Sequence, residues 1–408
     1  MDIRDQLFAA ALGAADAGAA TLRHLPPRPR GRTVVVGAGK AAGAMAAALD
    51  GAWHGPLSGL VVTRHGHGMP AGRIAVVEAG HPLPDDAGEA AARRVLQAVR
   101  SLGPDDLVIA LISGGGSALL ALPAPGLSLA DKQAVNRALL RAGAPIGQIN
   151  VVRKHLSAIK GGRLALAAAP APVVTLAVSD VPGDDPAVIA SGPTVPDPST
   201  LAEARAVLAR WDIAVPPAVV RHLNDPASET PKPGDGRFGA LDLATVLRPA
   251  DMLAAAARAA SAAGFRVVDL GDRVEGEARE VAEDHARLAL ATRGPAVILS
   301  GGELTVTVGG DGLGGPSKEY LLALAIALDG APGVTALACD SDGIDGASND
   351  AGARIGPDTL ARARALGLDP AAMLARNESR GFFEALGDLV TTGPTRTNLN
   401  DFRVLAVT

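Results

Sequence analysis

The stretch TVVVGAGKAAGAM, residues 33–45, sets the reading of the whole chain. Thr33 to Val36 are all β-branched and run without a polar break, the pattern of a strand covered on both faces. Gly37 and Gly39 let the backbone turn tightly and come close to a ligand. The alanine-rich run that follows favours a helix, beginning near Ala41, whose first N–H groups face an anion. Strand, glycine turn and helix in this order open a βαβ unit. The spacing, G-x-G-x-x-x-G, is close to a dinucleotide fingerprint, but Lys40 stands inside the turn. A purely structural tight turn is the plain alternative; the lysine favours phosphate.

Working outward, short runs rich in Val, Ile and Leu alternate with Ala/Leu/Arg stretches at helical spacing. Further strands are expected at 58–63, 74–78, 106–112, 173–179, 266–270, 296–300, 304–308, 334–339 and 403–407. Continuous apolar strands alternating with helices define an α/β protein with parallel sheet topology. Residues 223–240 are rich in Pro, Gly and polar residues and have no periodicity, which reads as a linker or a long surface loop. The expected division is therefore a larger, Rossmann-like N-terminal domain, 1–235, and a smaller α/β C-terminal domain, 236–408.

Composition narrows the function classes. The 408 residues carry 38 basic and 43 acidic side chains, and only nine are aromatic, so neither basic stripes nor stacking platforms for nucleic acid are expected. One cysteine, Cys339, excludes an internal disulfide framework and any Cys-rich metal site. The N-terminus, Met1-Asp2-Ile3-Arg4-Asp5, has no secretory n-region. Asp16 interrupts the alanine-rich run at 6–22, which falls short of the ~20 apolar residues of a membrane span. A surface-packed first helix and a cytoplasmic protein without a membrane partner are expected. Lysine is scarce: only positions 40, 132, 154, 160, 232 and 318 carry it, against 32 arginines.

Three more glycine-rich regions follow expected strands, where open α/β sheets bind ligands. Ile112-Ser113-Gly114-Gly115-Gly116-Ser117-Ala118 places three glycines in a row. That costs conformational entropy unless backbone N–H groups must form an anion-binding nest, with the Ser113 and Ser117 hydroxyls as extra donors. Ser179-Asp180-Val181-Pro182-Gly183-Asp184-Asp185 sets carboxylates beside a Pro-Gly turn, either to hold Mg²⁺ and orient a hydroxyl or as a solvated Asx-type turn. In the C-terminal half, Ser300-Gly301-Gly302-Glu303 follows a strand, and Gly309–Gly315 leads into a helix opening Pro316-Ser317-Lys318-Glu319. The loop from Asp340 to Gly346 is acidic, but the twelfth position from Asp340 is Ala351 rather than Glu, so it is no EF-hand.

Other motifs carry less. There is no P-loop, no H-E-x-x-H and no G-x-S-x-G. His65 and His67 read as a polar loop beside a cleft or as metal ligands without further ligands nearby, and His81 as a structural histidine or a site contact. Residues 150–163 concentrate Arg153, Lys154, Lys160 and Arg163, either a solvated basic face or a surround for phosphate. Phosphoryl transfer needs cationic and N–H clamps, a metal ion and a carboxylate near the attacking hydroxyl. The loops hold those elements.

The strings VVVGAGKAAGAM, GHPLPDDAG, LISGGGSALL, NVVRKHLSAIKGGRLA, SDVPGDDPAVIASGPTVPD, SGGELTVTV, DSDGIDGASNDAGA and TTGPTRTNLNDF together resemble the class II glycerate kinases, the glycerate 2-kinases. The resemblance covers nearly the whole chain in order, and the C-terminal half is similar to their MOFRL domain. Members of that family have also been labelled hydroxypyruvate reductases. The resemblance implies a two-domain α/β enzyme with its active site in the cleft, using ATP and Mg²⁺ to phosphorylate the 2-hydroxyl of D-glycerate. A homodimer is a further expectation. The family's motif lysine matches Lys40, its Ser-Gly-Gly-Gly-Ser loop matches 113–117, and its Ser-Asp-x-x-Gly-Asp matches Ser179, Asp180, Gly183 and Asp184.

The candidate catalytic residues are accordingly Lys40, Asp180 and Lys318. Candidate substrate- or phosphate-binding residues are Gly37, Gly39, Ser113, Gly114, Gly115, Gly116, Ser117, Arg153, Lys154, Glu303 and Asn398, and candidate Mg²⁺ ligands are Asp184, Asp342 and Asp345. One departure stands out: where the family commonly reads Gly-Gly-Arg-Asn-Gln-Glu, this chain has Gly314-Gly315-Pro316-Ser317-Lys318-Glu319. Lys318 is the positive charge at hand, although a point charge does not reproduce a bidentate guanidinium. Kinases of related short 2-hydroxy acids are the neighbouring reading. An NAD(P)H-dependent reductase of hydroxypyruvate or tartronate semialdehyde is the alternative class, and its ribose carboxylate is missing, since the second strand runs into Thr63-Arg64-His65. A phosphosugar-sensing regulator is the non-enzyme alternative, and it leaves the acidic C-terminal loop unexplained.

Overall fold

The computed structural model describes residues 2–181 and 183–408. It divides into two compact units, 17–247 and 2–16 together with 248–408.

The N-terminal unit is built on strands Thr33–Ala38 (β1), Leu57–Arg64 (β2), Ile74–Ala79 (β3), Leu107–Ile112 (β4), Val173–Val178 (β5) and Leu241–Leu247 (β6). Their order is β3-β2-β1-β4-β5-β6, and every neighbouring pair is parallel. The two central strands, β1 and β4, are buried at all six positions, as their unbroken apolar sequence demands. Val34, Val36, Val108 and Ala110 pack in one core cluster with Ala91, Ala92, Val95 and Val99 of the helix Asp86–Val99. A second core lies among the helices Leu129–Arg141, Ile146–His155, Leu201–Arg210 and Pro217–Asn224, around Val135, Leu139, Val152, Leu156 and Leu208.

The division does not fall where composition puts it. Residues 223–240 run over the N-terminal unit: Thr230 is buried, Asp197 N–H donates to Pro231 O, and Val173 N–H donates to Ala240 O. The chain then enters β6, an edge strand absent from the expected set because its apolar residues are half-covered and interrupted by Asp242 and Thr245. The break comes between Leu247 and Arg248.

The first helix also changes sides. Ile3–Ala14 packs on the helix Pro249–Ala262 of the C-terminal unit, and Leu7, Phe8 and Ala11 are buried there. The Phe8 ring lies 5.7 Å from that of Phe402, and Arg4 donates to the Ala336 and Ile355 carbonyls. Asp16, which interrupts the alanine-rich run, is where the chain passes to the other unit, and a separate helix, Ala17–Leu22, follows.

The C-terminal sheet corrects the expectation of parallel pairing. It comprises Arg266–Asp269 (β7), Ala296–Gly302 (β9), Val334–Asp340 (β11), Gly352–Ile355 (β12), Leu389–Val390 (β13) and Asp401–Val407 (β14), in the order β13-β12-β11-β14-β9-β7. Only β7 and β9 pair in parallel. The last strand, β14, arrives from an irregular stretch at 391–400 rather than a crossover helix, and inserts antiparallel between β9 and β11. Of the strand expected at 304–308, only Leu304–Thr305 (β10) forms, pairing with Gly276–Glu277 (β8). Among the described residues no helix is long and apolar enough to cross a membrane.

Both tryptophans, Trp53 and Trp211, lie in the unit 17–247. Leu7→Ala, emptying a wholly buried site, should destabilise the C-terminal unit by about 2–5 kcal/mol. In urea the far-UV circular dichroism transition should move down while the tryptophan fluorescence midpoint holds. A fluorescence midpoint that falls with Leu7→Ala would contradict the placement of the first helix.

Candidate active site

Parallel pairing brings the C-terminal ends of β1, β4 and β5 to one edge of the N-terminal sheet. The chain steps outward from β1 to β2 and β3, then returns to place β4 on the other flank of β1. The crevice outside β1 and β4 is therefore the topological switch point, where such sheets take ligands.

The loops after β1 and β4 meet there at van der Waals limits. A Cβ added at Gly37 would overlap the Leu111 carbonyl, and one at Gly39, whose φ is +141°, would overlap Ser113. Without side chains, three bonds close the gap. Ser113 N–H donates to Ala38 O at 3.0 Å, Lys40 N–H to Gly114 O at 2.9 Å, and Ala41 N–H to Ser113 Oγ at 3.0 Å. Ser113 thus holds the two loops together, its Oγ accepting from Ala41 N–H while its O–H stays available to donate.

Gly115 is left-handed, at φ 83°. Among the described residues the Gly114 and Gly115 N–H groups have no protein acceptor. A Cβ on Gly115 would stand 3.1 Å from the His81 ring and 3.4 Å from Lys40 Cγ, so both side chains flank the free amides. Ser117 Oγ lies 2.7 Å from Ser191 Oγ, which bonds Asn150 Oδ1 at 3.1 Å, while Lys160 Nζ donates to Ser117 O at 2.9 Å. Ser191 and Asn150 were within the quoted family strings but carried no chemical signal of their own.

Asp180 and Asp184 follow β5 on the same edge, both half-buried, and Asp184 has φ 57°. Pro182, expected to stiffen this turn, lies outside the described residues. No three His, Cys, Asp or Glu side chains among the described residues gather as a ready metal cluster. One or two carboxylates on a strand-end loop nevertheless suit Mg²⁺, which commonly keeps waters and phosphate oxygens as its other ligands.

The basic segment splits by burial. Lys154 is buried and pairs with the fully buried Asp197 at 3.2 Å, which corrects its expected role: it neutralises an internal carboxylate. Arg153 instead lines a cavity with Lys132 and Lys160. Burial pushes Lys132 down to about 7, with Arg153 adding repulsion, and pushes Lys160 far below the usual lysine range. Lys132 entered the sequence reading only as a count. Its signal was position: with Val135 and Leu139 three and seven residues on, it shares the apolar face of the helix Leu129–Arg141.

In the C-terminal unit, Lys318 and Asp345 are both shut away from solvent and 2.8 Å apart. Asp345 also accepts the Ser317 and Lys318 N–H groups at 3.0 Å each, and Lys318 Nζ donates to Asp345 O and Ser348 Oγ. The carboxylate caps the helix Pro316–Leu328, whose first N–H groups would otherwise be orphaned, and the ammonium neutralises it. This corrects two expectations at once: Lys318 is a structural cation that does not stand in for the guanidinium absent at Pro316, and Asp345 is occupied as a cap rather than offered to Mg²⁺. Asp342 is fully buried and accepts Ile344 N–H at 2.7 Å, an Asx turn rather than an open metal ligand.

Around them, Ser341 bonds the backbone just after Asn398, its Oγ accepting from Leu399 N–H and its N–H donating to Asn400 O, and Glu303 stands exposed after β9. Burial pushes Asp401 up to about 7, against the pull of Arg403 2.9 Å away; Asp345 and Glu303 add repulsion. The structure so gathers Glu303, Asp342, Asp345 and Asn398 at one edge of the C-terminal sheet, beside an Asp401 that sequence reasoning passed over.

Comparison with known proteins gives this geometry a class. Residues 3–224 match a domain of unknown function, DUF4147, and 296–401 match the MOFRL family. A D-glycerate 2-kinase of Thermotoga maritima is 39% identical over 92% of this chain and 91% of its own length. The crystal structure of a glycerate kinase from Thermotoga maritima superposes with a TM-score of 0.89 at 36% identity, covering 100% of this chain and 99% of that one. A putative hydroxypyruvate reductase of Agrobacterium vitis is 54% identical over 98% of this chain and 93% of its own. The protein is an enzyme of the kinase class. Within that class the chain belongs to the MOFRL-containing glycerate kinase family.

Removing the Lys318 charge should be felt as stability. Lys318→Met leaves Asp345 buried and unpaired and should cost the C-terminal unit about 3–5 kcal/mol in urea unfolding. Unchanged unfolding together with lost turnover would instead make Lys318 a chemical participant.

Proposed function

We propose that this protein transfers the terminal phosphoryl group of ATP to the 2-hydroxyl of D-glycerate, giving 2-phosphoglycerate and ADP. The observation that carries the reading is the pair of unclaimed amides at Gly114 and Gly115, flanked by Lys40, at the switch point of the sheet. N–H donors and an ammonium are what a charged phosphate needs, and the two amides are pre-positioned by the backbone, with the Lys40 side chain beside them. The name of the Thermotoga maritima relative, D-glycerate 2-kinase, supports the acceptor and the position.

In this reading Lys40 clamps the oxygens of the transferring group, and the Gly114 and Gly115 amides hold those oxygens as charge shifts during transfer. Asp180 accepts the proton of the 2-hydroxyl as its oxygen forms the new O–P bond, while the bond from the terminal phosphorus to the bridging oxygen breaks and ADP leaves. Asp184 is the carboxylate that would hold Mg²⁺, which supplies charge neutralisation on the phosphates. The reading places the reaction in the cytoplasm, where ATP is at hand and a reduced thiol such as the buried Cys339 is ordinary.

The reductase name of the Agrobacterium vitis relative is the competing reading. Against an NAD-dependent form, β2 ends at Arg64 and its register on β1 puts Thr63-Arg64-His65 where the NAD ribose would require a carboxylate, a sequence that would at best suit NADP.

The purified chain with ATP, Mg²⁺ and D-glycerate should form 2-phosphoglycerate, detected through enolase coupling. Lys40→Ala should lower kcat by at least roughly 10²-fold with the circular dichroism spectrum unchanged. Full activity in that variant would remove Lys40 from the mechanism. NADPH oxidation on hydroxypyruvate, with no phosphoryl transfer, would overturn the kinase assignment to glycerate.

A further inference from the structure

Behind the Gly114–Gly116 loop the N-terminal unit encloses a cavity of about 60 Å³. Its walls include Leu129, Val135, Leu139 and Leu156, yet Lys132, Arg153, Lys160 and the exposed Arg137 also line it, and no Asp or Glu does. Among the described residues Lys132, Arg153 and Lys160 donate to neutral acceptors. Lys160 Nζ donates to Ser117 O at 2.9 Å, Lys132 Nζ to Leu122 O at 3.3 Å, and Arg153 to Asn136 Oδ1 at 2.7 Å and Asn150 Oδ1 at 3.4 Å. Each ammonium has three protons and the guanidinium five, so donors remain for a ligand.

Burying like charges against apolar walls is costly unless an anion joins them. Lys132 reflects that cost: burial lowers it to about 7, Arg153 and Arg163 add repulsion, and Glu89 alone opposes them. Ser117 belongs both to this cavity and to the loop whose amides face the phosphate, so an anion held here lies next to the reacting group.

We propose that this cavity is the carboxylate pocket for the acceptor substrate, a short 2-hydroxy acid, with Lys132 and Arg153 as its cationic clamp and Lys160 holding Ser117 in place. The proposal rests on the kinase reading for the chemistry, but not for the binding. Lys132 then determines specificity: acids enter, and neutral polyols of the same size do not. The apolar walls favour small aliphatic carbon chains over longer polyhydroxylated acids.

Kinetics and binding on the full chain test it. Lys132→Met keeps the bulk of the side chain and removes its charge. It should raise the KM for D-glycerate roughly 10- to 100-fold, the loss of a charge-assisted hydrogen bond, with the KM for ATP nearly unchanged. Lys132→Arg should recover part of the loss. A rise confined to the KM for ATP would assign the cavity to nucleotide phosphate and overturn the proposal, as would two unchanged KM values. A second measurement needs no variant: D-lactate should compete with D-glycerate on the wild-type enzyme, and 1,2-propanediol should not. Equal competition by both would overturn the proposal even if Lys132→Met failed to fold. Calorimetric titration with D-glycerate in the absence of ATP separates the two claims. Binding lost in Lys132→Met, in a protein that never turns over, would leave the pocket standing and the kinase reading fallen. Turnover with wild-type KM values in that variant would do the reverse.

Discussion

The N-terminal unit depends on one close approach, between the ends of β1 and β4. Gly37 and Gly39 lie so near Leu111 and Ser113 that neither tolerates a Cβ. That contact lets Lys40 N–H reach Gly114 O and Ala41 N–H reach Ser113 Oγ, which fixes the loop after β4 against the loop after β1. The carbonyl of Gly114 and the hydroxyl oxygen of Ser113 are so used, while the amides of Gly114 and Gly115 have no protein acceptor among the described residues. Backbone donors fixed in this way reorganise little when charge shifts, which is the property that electrostatic catalysis requires.

Charge burial is organised differently in the two units. In the C-terminal unit Lys318 with Asp345 and Arg403 with Asp401 are internal pairs, each charge answered within hydrogen-bond distance. These pairs position the loop at 340–350 and the start of β14 and leave little for a ligand. In the N-terminal unit Lys154 is answered by Asp197, but Lys132 and Lys160 have only carbonyls. A buried cation without a carboxylate within hydrogen-bond distance is costly, and Lys132 shows that cost in its lowered pKa. The same residue type is thus answered by a carboxylate in one place and by carbonyls in another.

The strands of the N-terminal sheet were legible because β1, β4 and β5 are continuous apolar runs, and the parallel order follows from helices between them. The edge strand β6 was not, since half-covered alternation beside a Pro- and Gly-rich stretch looks like loop. Nor was the antiparallel insertion of β14, which depends on where a chain end finds an unfilled sheet position. Among candidate site residues, Gly39, Lys40 and the 113–117 loop stand out in the sequence through glycine runs at strand ends, a local signal. Lys318 misled, because its partner is 27 residues away in sequence and only folding brings Asp345 to it.

By itself the sequence determined that this is an α/β protein with glycine-rich loops at its strand ends, because strand periodicity, glycine turns and rare lysines are local and survive without coordinates. The tertiary structure alone decided which of six lysines face a void and which meet a carboxylate, that the first helix belongs with the C-terminal unit, and that Asp345 caps a helix. Each of those rests on a contact between residues distant in the chain. Burial and ion pairing are properties of the packed molecule, and no local pattern of residues records them.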